Sequence, residues 1–251
     1  MSNTDKAWEH FGKHDPYFGV LSEDKFRHSH LDSSRKAEFF ESGEAHVSEL
    51  YRKIETISGR PFEPQRVLDF GCGVGRLLIP FSRRAQSVTG VDVSESMLKE
   101  AANNLASFGM ANALLVVGDD GLSRVPGKYH LVHSVLVFQH IPVDRGEKIF
   151  AAMLGKMESG GYATIHVSFA SQLGKAGNLI QWGRKYLPGF QMAANLLKGK
   201  PLATPVMETN CYSLSRLFQI AFESGCTVEK TDMLEQKGFL GVILFLRKAP
   251  G

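Results

Sequence analysis

The chain is poor in cysteine, in long apolar runs and in clustered positive charge. Three cysteines, Cys72, Cys211 and Cys226, occur in 251 residues. An odd, scattered set argues against a disulfide scaffold and for reduced thiols. The longest apolar run, Phe239 to Leu246, falls far short of the roughly 20 residues that a membrane-spanning helix needs. No charged-then-apolar signal opens the sequence, and a soluble, cytoplasmic protein is the expectation. There is no Arg-rich arm or basic block, and the net charge is +3, so composition gives no support to a nucleic-acid partner. Internal repeats and low-complexity tracts are missing too. The length suits one α/β domain with additions.

Against these absences stands one dense segment, Val67 to Arg76, with the sequence VLDFGCGVGR. An apolar strand ends in Asp69, and Gly71, Gly73 and Gly75 follow at alternate positions. Glycines admit positive φ and let a ligand approach without a Cβ in the way. A helix beginning at Leu77 to Ser82 would turn its free N–H groups toward the same ligand. The dinucleotide pattern G-x-G-x-x-G fails in both registers, because the last position falls on Arg76 or Leu78. Asp69 also argues against a pyrophosphate, which it would repel, and for a cofactor carrying an ammonium and a sulfonium. S-adenosylmethionine has that charge pattern.

The segment resembles the first motif of the class I S-adenosylmethionine-dependent methyltransferases, and the resemblance continues downstream in order. Ser87 to Asp92 reads as a second strand ending in an acid about twenty residues on, where a ribose-binding carboxylate belongs. Ala113 to Val117 gives a third strand closing on Gly118, Asp119 and Asp120, and the family places an adenine-contacting acid there, with Asp119 favoured by position. A fourth strand, His130 to Val137, leads into Phe138, Gln139, His140, Ile141 and Pro142. The resemblance implies a cofactor-binding set of Asp69, Gly71, Cys72, Gly73, Gly75, Arg76, Asp92, Val93, Met97, Asp119, Asp120 and Ser134. The alternative for Asp92 is a cap on the helix near Ser94. Met97 and Val93 could equally be core.

Read along its length, the chain starts with an aromatic and histidine-rich stretch, Trp8 to Phe26. A long helix is expected from about Ala37 to Ile57, ended by Gly59 and Pro61. Strands and helices then alternate through Met157, and a Gly160-Gly161 turn is expected to open a fifth strand, Tyr162 to Phe169. Such alternation implies a parallel sheet with helices on both faces. A helix at about Ser213 to Glu223 and strands from Cys226 and from Phe239 to Arg247 resemble the family's reversed C-terminal hairpin. The expected fold is therefore an α/β, seven-stranded, mostly parallel sheet with that hairpin, an N-terminal helical extension and an insertion after strand five. Residues 1–61 form the cap segment and helix in this reading, and 62–251 the methyltransferase domain, with 171–212 as a substrate lid.

Between Glu158 and Glu208 the sequence has no Asp or Glu, where its overall frequency would give about five. Lys175, Arg184, Lys185, Lys198 and Lys200 stand there among Trp182, Tyr186, Leu187 and Phe190. The stretch reads either as a mildly basic, apolar lid over an acidic or amphiphilic acceptor, some of it presented at a membrane surface, or as a helical hairpin packed on the core.

Methyl transfer in this family is an in-line displacement in which the protein aligns two partners, so no catalytic group is obligatory. For a hydroxyl acceptor His140 is the first candidate base, because it follows strand four at the carboxyl edge of the sheet. A helix-capping imidazole is the alternative for it. His166 is the second candidate. His14 and Tyr17 follow, since N-terminal segments of similar small-molecule methyltransferases often fold over the site. His28 and His30 lack a nearby carboxylate-rich set, so no metal is expected. The base-methylating motif Asn/Asp-Pro-Pro-aromatic is absent after strand four, where Val135, Leu136, Val137 and Phe138 stand. The resemblance thus implies a small-molecule acceptor, with a hydroxyl oxygen favoured. An RNA or protein methyltransferase, or a non-catalytic S-adenosylmethionine-binding subunit, are the alternatives.

Overall fold

A computed structural model describes residues 3–174, 207–236 and 238–250, with positions 177, 180, 183, 190 and 205. Most of the 171–212 insertion, including all its basic residues, lies outside the described residues.

Helices α1 (Asn3–His14), α2 (Pro16–Val20) and α3 (Ser33–Ser58) precede strand β1 (Arg66–Phe70). The alternating core follows as α4 (Leu78–Arg84), β2 (Ser87–Asp92), α5 (Glu95–Ser107), β3 (Ala113–Val117), β4 (Tyr129–Ser134), α6 (Val143–Gly155) and β5 (Met157–Ser171). Helix α7 (Leu214–Glu223) and strands β6 (Cys226–Gln236) and β7 (Phe239–Lys248) close the chain. The sheet runs β3-β2-β1-β4-β5-β7-β6, parallel except for β7, which pairs antiparallel with both β5 and β6. This is the expected seven-stranded architecture with its reversed hairpin.

The alternation of β1 shows how the two layers form. Val67 joins an apolar cluster with α3, α4 and α5, while Leu68 and Phe70 join another with α6 and α7. The N-terminal helices share the first cluster, since Phe11, Tyr17, Phe39 and Ile54 pack with Val67 and Leu78. Helix α3 begins earlier than expected, because the Asp32 carboxylate accepts from Arg35 N–H at 2.8 Å, and it ends at Gly59 with φ 69°.

Two expectations about strands are corrected. The Gly160-Gly161 pair does not make a turn before β5 but lies within it, at a register break between the Tyr129 and Leu131 pairings. Gly160 has φ 74°, and a Cβ on Gly161 would meet the carbonyl oxygens of Glu158, His130 and Tyr129 at 3.0 to 3.1 Å, so the pair forms a bulge. Strand β4 stops at Ser134 rather than Val137, because Leu136 turns to φ 63° and leaves the ladder.

Candidate active site

The strand order reverses between β1 and β4, so the loops leaving these two strands diverge and open a crevice at the carboxyl edge of the sheet. Gly71, Gly73 and Gly75 take φ values of 75°, 52° and 86°, which carries the β1 loop sharply under that crevice. A Cβ on Gly71 would collide with Val137, and one on Gly73 with Val20. The loop is held to β2 by N–H groups of Gly71 and Cys72, both donating to Val91 O.

The crevice is walled by the glycine loop, the ends of β2 and β3, the segment after β4, and helix α1 with Gly19 and Val20 above it. Of the expected cofactor residues, Gly71, Gly73, Asp92, Val93, Met97, Asp119 and Asp120 are brought to this wall. Asp92 accepts from Gly73 N–H and Ser94 N–H, both at 2.9 Å. Burial raises its pKa to about 6 against the effect of these bonds. Met97 is both wall and core, fully buried. Asp119 accepts from the N–H groups of Gly121 and Ser123 and from Ser123 Oγ at 2.7 Å, bonds that hold its pKa below the usual carboxylate range. Asp120 accepts from Arg145 Nε at 2.6 Å.

Asp69, Cys72, Gly75, Arg76 and Ser134 do not reach the wall. Asp69 is buried on the α3 side of the sheet, where its Oδ1 lies 2.9 Å from Nδ1 of His133, its neighbour across β1 and β4. His133 Nε2 lies in turn 3.1 Å from Nε2 of His46 on α3. Burial first, then the nearby His133 and Arg76, push the pKa of His46 down to about 2. The acid that sequence reasoning aimed at a cofactor ammonium is thus engaged inside the fold. Cys72 is buried, and burial, with Asp92 and Asp69 adding to it, pushes its thiol well up, so it is inert as a nucleophile. Gly75 packs against Ala101, Arg76 lies buried against Gly43 and Ser42, and Ser134 is buried in β4.

Of the four catalytic candidates, His140 alone lines one of two clefts among the described residues. His140 ends a 3-10 turn, Phe138–His140, and lines a second cleft with Ser22, Glu23, Gln139, Met207 and Gln236. Among the described residues the two clefts share Gly19, Val20 and Leu136. His140 Nδ1 lies 2.6 Å from Glu208 O. A carbonyl can only accept, so Nδ1 carries the proton and Nε2 is the basic nitrogen, 3.1 Å from the side-chain nitrogen of Gln139. Tyr17 is corrected to a core role: its hydroxyl donates to Glu100 at 2.6 Å, with the Asn104 side-chain oxygen 3.0 Å away, and burial raises its pKa. His14 is corrected likewise, being exposed and stacked on His10 rather than turned to either cleft. His166 is buried in β5 and borders neither cleft.

Sequence reasoning missed how α1 is fastened over the crevice. Glu9 accepts from Ser94 Oγ at 2.8 Å, Ser96 Oγ at 2.7 Å and Ser96 N–H at 3.2 Å. Burial opposes its ionisation, yet these bonds hold its pKa down to about 2, an anion suited to the first turn of α5. Arg145 on α6 bridges Asp120 and Asp5 at 2.6 Å each. A run of Asp5 and Glu9 one helical turn apart was the available signal, but nothing local names the partners. Among the described residues no group of three or more His, Cys, Asp or Glu is arranged to hold a metal, and no helix is long and apolar enough to cross a membrane.

Comparison with known proteins agrees with this geometry. Residues 67–161 match the family described as a methyltransferase domain. The ubiquinone biosynthesis O-methyltransferase of Rhizobium johnstonii is 29% identical over 158 residues, 60% of this chain and 61% of that protein. The magnesium-protoporphyrin O-methyltransferase of Synechocystis is 30% identical over 134 residues, 50% of this chain and 55% of that protein. The chain thus spans about half to three fifths of the curated relatives it matches. Among solved structures, magnesium protoporphyrin IX methyltransferase from Synechocystis with bound S-adenosylhomocysteine aligns at a TM-score of 0.66 and 16% identity, over 99% of this chain and 100% of that one. An N-methyltransferase from Bradyrhizobium japonicum in complex with S-adenosylhomocysteine aligns at 0.61 and 11% identity, over 98% and 99%. Taken with the glycine motif and the strand order, the chain has the fold of these solved methyltransferases, and its residues 67–161 are similar to a methyltransferase domain.

Proposed function

We propose that the protein transfers a methyl group from S-adenosylmethionine to a hydroxyl oxygen of a small-molecule acceptor. The observation that carries the cofactor half is Asp92, whose carboxylate stands on the crevice wall at the end of β2 with each oxygen braced by one backbone N–H. Such a carboxylate retains lone pairs for the two hydroxyls of a ribose. Val93 and Met97 offer apolar faces to an adenine, and Gly71 and Gly73 leave room for close approach. When bound, the cofactor supplies an electrophilic methyl on a sulfonium.

The chain's own contribution is alignment and exclusion of water. Helix α1 roofs the crevice through Thr4, Asp5 and Trp8. His140 Nε2 takes the acceptor's hydroxyl proton in this reading, after Gln139 releases it, and the Nδ1 bond to Glu208 O holds the ring orientation and stabilises the imidazolium formed. The likeness to O-methyltransferases of ubiquinone and magnesium-protoporphyrin supports an oxygen acceptor on a small, partly apolar molecule. Residues 1–61 act in this proposal as the cap, and 171–212 as a lid that admits an acidic or amphiphilic acceptor, including one at a membrane surface. A cytoplasmic location accompanies the reading.

The test is incubation with methyl-labelled S-adenosylmethionine and native-cell extract, followed by separation of lipid, small-metabolite, RNA and protein fractions. Label in small metabolites or lipids is the expected outcome. Label confined to RNA or protein overturns the acceptor class, and stoichiometric cofactor binding with no labelled product overturns the catalytic reading.

A further inference from the structure

Three observations converge on Leu136. Its φ of 63° makes it one of two non-glycine residues with positive φ among the described residues, Leu122 being the other, and leucine disfavours that conformation on steric grounds. It lies on the wall of both clefts, so its backbone fixes where the cofactor chamber meets the acceptor chamber. Its N–H donates to Nδ1 of His166, 3.3 Å away.

A ring nitrogen that accepts a backbone N–H carries no proton of its own, so the hydrogen of the neutral His166 ring is on Nε2. That nitrogen has no hydrogen-bond partner among the described residues. It faces Gly241 on β7, where an added Cβ would lie 2.5 Å from it. Glycine at 241 therefore leaves the space that the ring fills. We propose that His166 is a positioning residue: seated against Gly241, its neutral imidazole holds Leu136 in the left-handed conformation and thereby sets the junction of the two clefts. The geometry stands by itself, and its effect on methyl transfer rests on the function proposed above. A base would need to face the acceptor, and among the described residues His166 lines neither of these two clefts. Burial, helped by the charge of His140, pushes its pKa down to about 4, which suits a ring that stays neutral.

The test has two arms. Nitrogen-15 NMR of the imidazoles in the unliganded wild type should show His166 neutral with the proton on Nε2, and a proton on Nδ1 overturns the proposal outright. Calorimetric titration with S-adenosylhomocysteine then compares His166→Ala and His166→Asn, each alone and with Leu136→Gly. Asparagine keeps an acceptor near the place of Nδ1, so its affinity should stay within about 2-fold of wild type, while alanine loses about 5- to 20-fold. Glycine adopts positive φ unaided, so the alanine loss should shrink to less than about 2-fold beside Leu136→Gly. Equal losses in both backgrounds, or equal losses for alanine and asparagine, overturn the proposal. Should His166→Ala not fold, the asparagine variant and the spectrum decide. Failure of wild type to bind S-adenosylhomocysteine would instead sink the cofactor reading, with the NMR arm untouched.

Discussion

Arg145 donates to Asp5 at 2.6 Å, and this pair ties the helix after β4 to the first helix of the chain across the mouth of the cofactor crevice. Both side chains are largely buried, 18% and 13% exposed, so the pair escapes most of the solvent screening that makes surface ion pairs weak. Arg145→Met should leave Asp5 and Asp120 without this cation and loosen α1 over the crevice. Dissociation of S-adenosylhomocysteine should accelerate about 10-fold or more, with association changed less. Stopped-flow exchange checks this, and an unchanged off-rate removes the roofing role from α1.

Asp92→Asn keeps the shape and loses the charge. The ribose hydroxyls then lose a charged partner worth about 1.5 to 3 kcal/mol, or roughly 10- to 150-fold in affinity. Because the carboxyl titrates near 6 in the folded protein, wild-type affinity should be full above that pH and fall below it as the group protonates. The asparagine variant should show no such step. Calorimetry between pH 5 and 8 reads both.

His140→Ala should leave S-adenosylhomocysteine affinity within about 2-fold and reduce kcat about 100-fold or more once an acceptor is in hand. His140→Gln, which can still bond but cannot take a proton at neutral pH, should be as slow as alanine. Activity equal to wild type in either would return His140 to a structural part, holding Glu208.

Acid should destabilise the fold in a window set by buried histidines. His46 and His166 have folded pKa values pushed down to about 2 and about 4 from 6.5, so the unfolded chain takes up protons that the folded chain refuses. Their contributions are fully present above pH 6.5 and are lost progressively below it, down to about pH 4 for His166 and about pH 2 for His46. Asp92 works the other way, because its pKa is raised from 3.8 to about 6, so the folded form binds a proton there first. Two histidines against one carboxyl leave a net slope of about 1.4 kcal/mol per pH unit between 6 and 4. Urea midpoints across that range measure it, and His46→Gln should flatten it.

What was legible in the sequence was what is local. The glycine loop declares its positive φ values through residue type, Asp92 by ending a β-branched strand, and Asp119 by following the third strand by two residues. Partners brought together by the fold were not legible. His133 and His46 stand 87 residues apart, as do Tyr17 and Asn104. No periodicity announces that a sheet row and a helix face will place them in contact. Tyr17 was assigned to the site because N-terminal segments of similar methyltransferases often fold over it, yet direction on a five-residue helix decides, and it points into the core. The Gly160-Gly161 pair looked like a turn because glycine permits both a turn and a bulge, and only pairing with β4 chooses between them.

Among the described residues the two clefts share Gly19, Val20 and Leu136, and their other lining residues differ, although both draw on the segment 135–141. Divergence among descendants of this scaffold can therefore proceed in one chamber while the other stays fixed. Changes at Ser22, Gln139, Met207 or Gln236 reshape the second cleft at residues that do not line the crevice holding Asp92 and the glycine turn. Selection for a new acceptor has a short path here, and a laboratory library confined to those four positions would follow it.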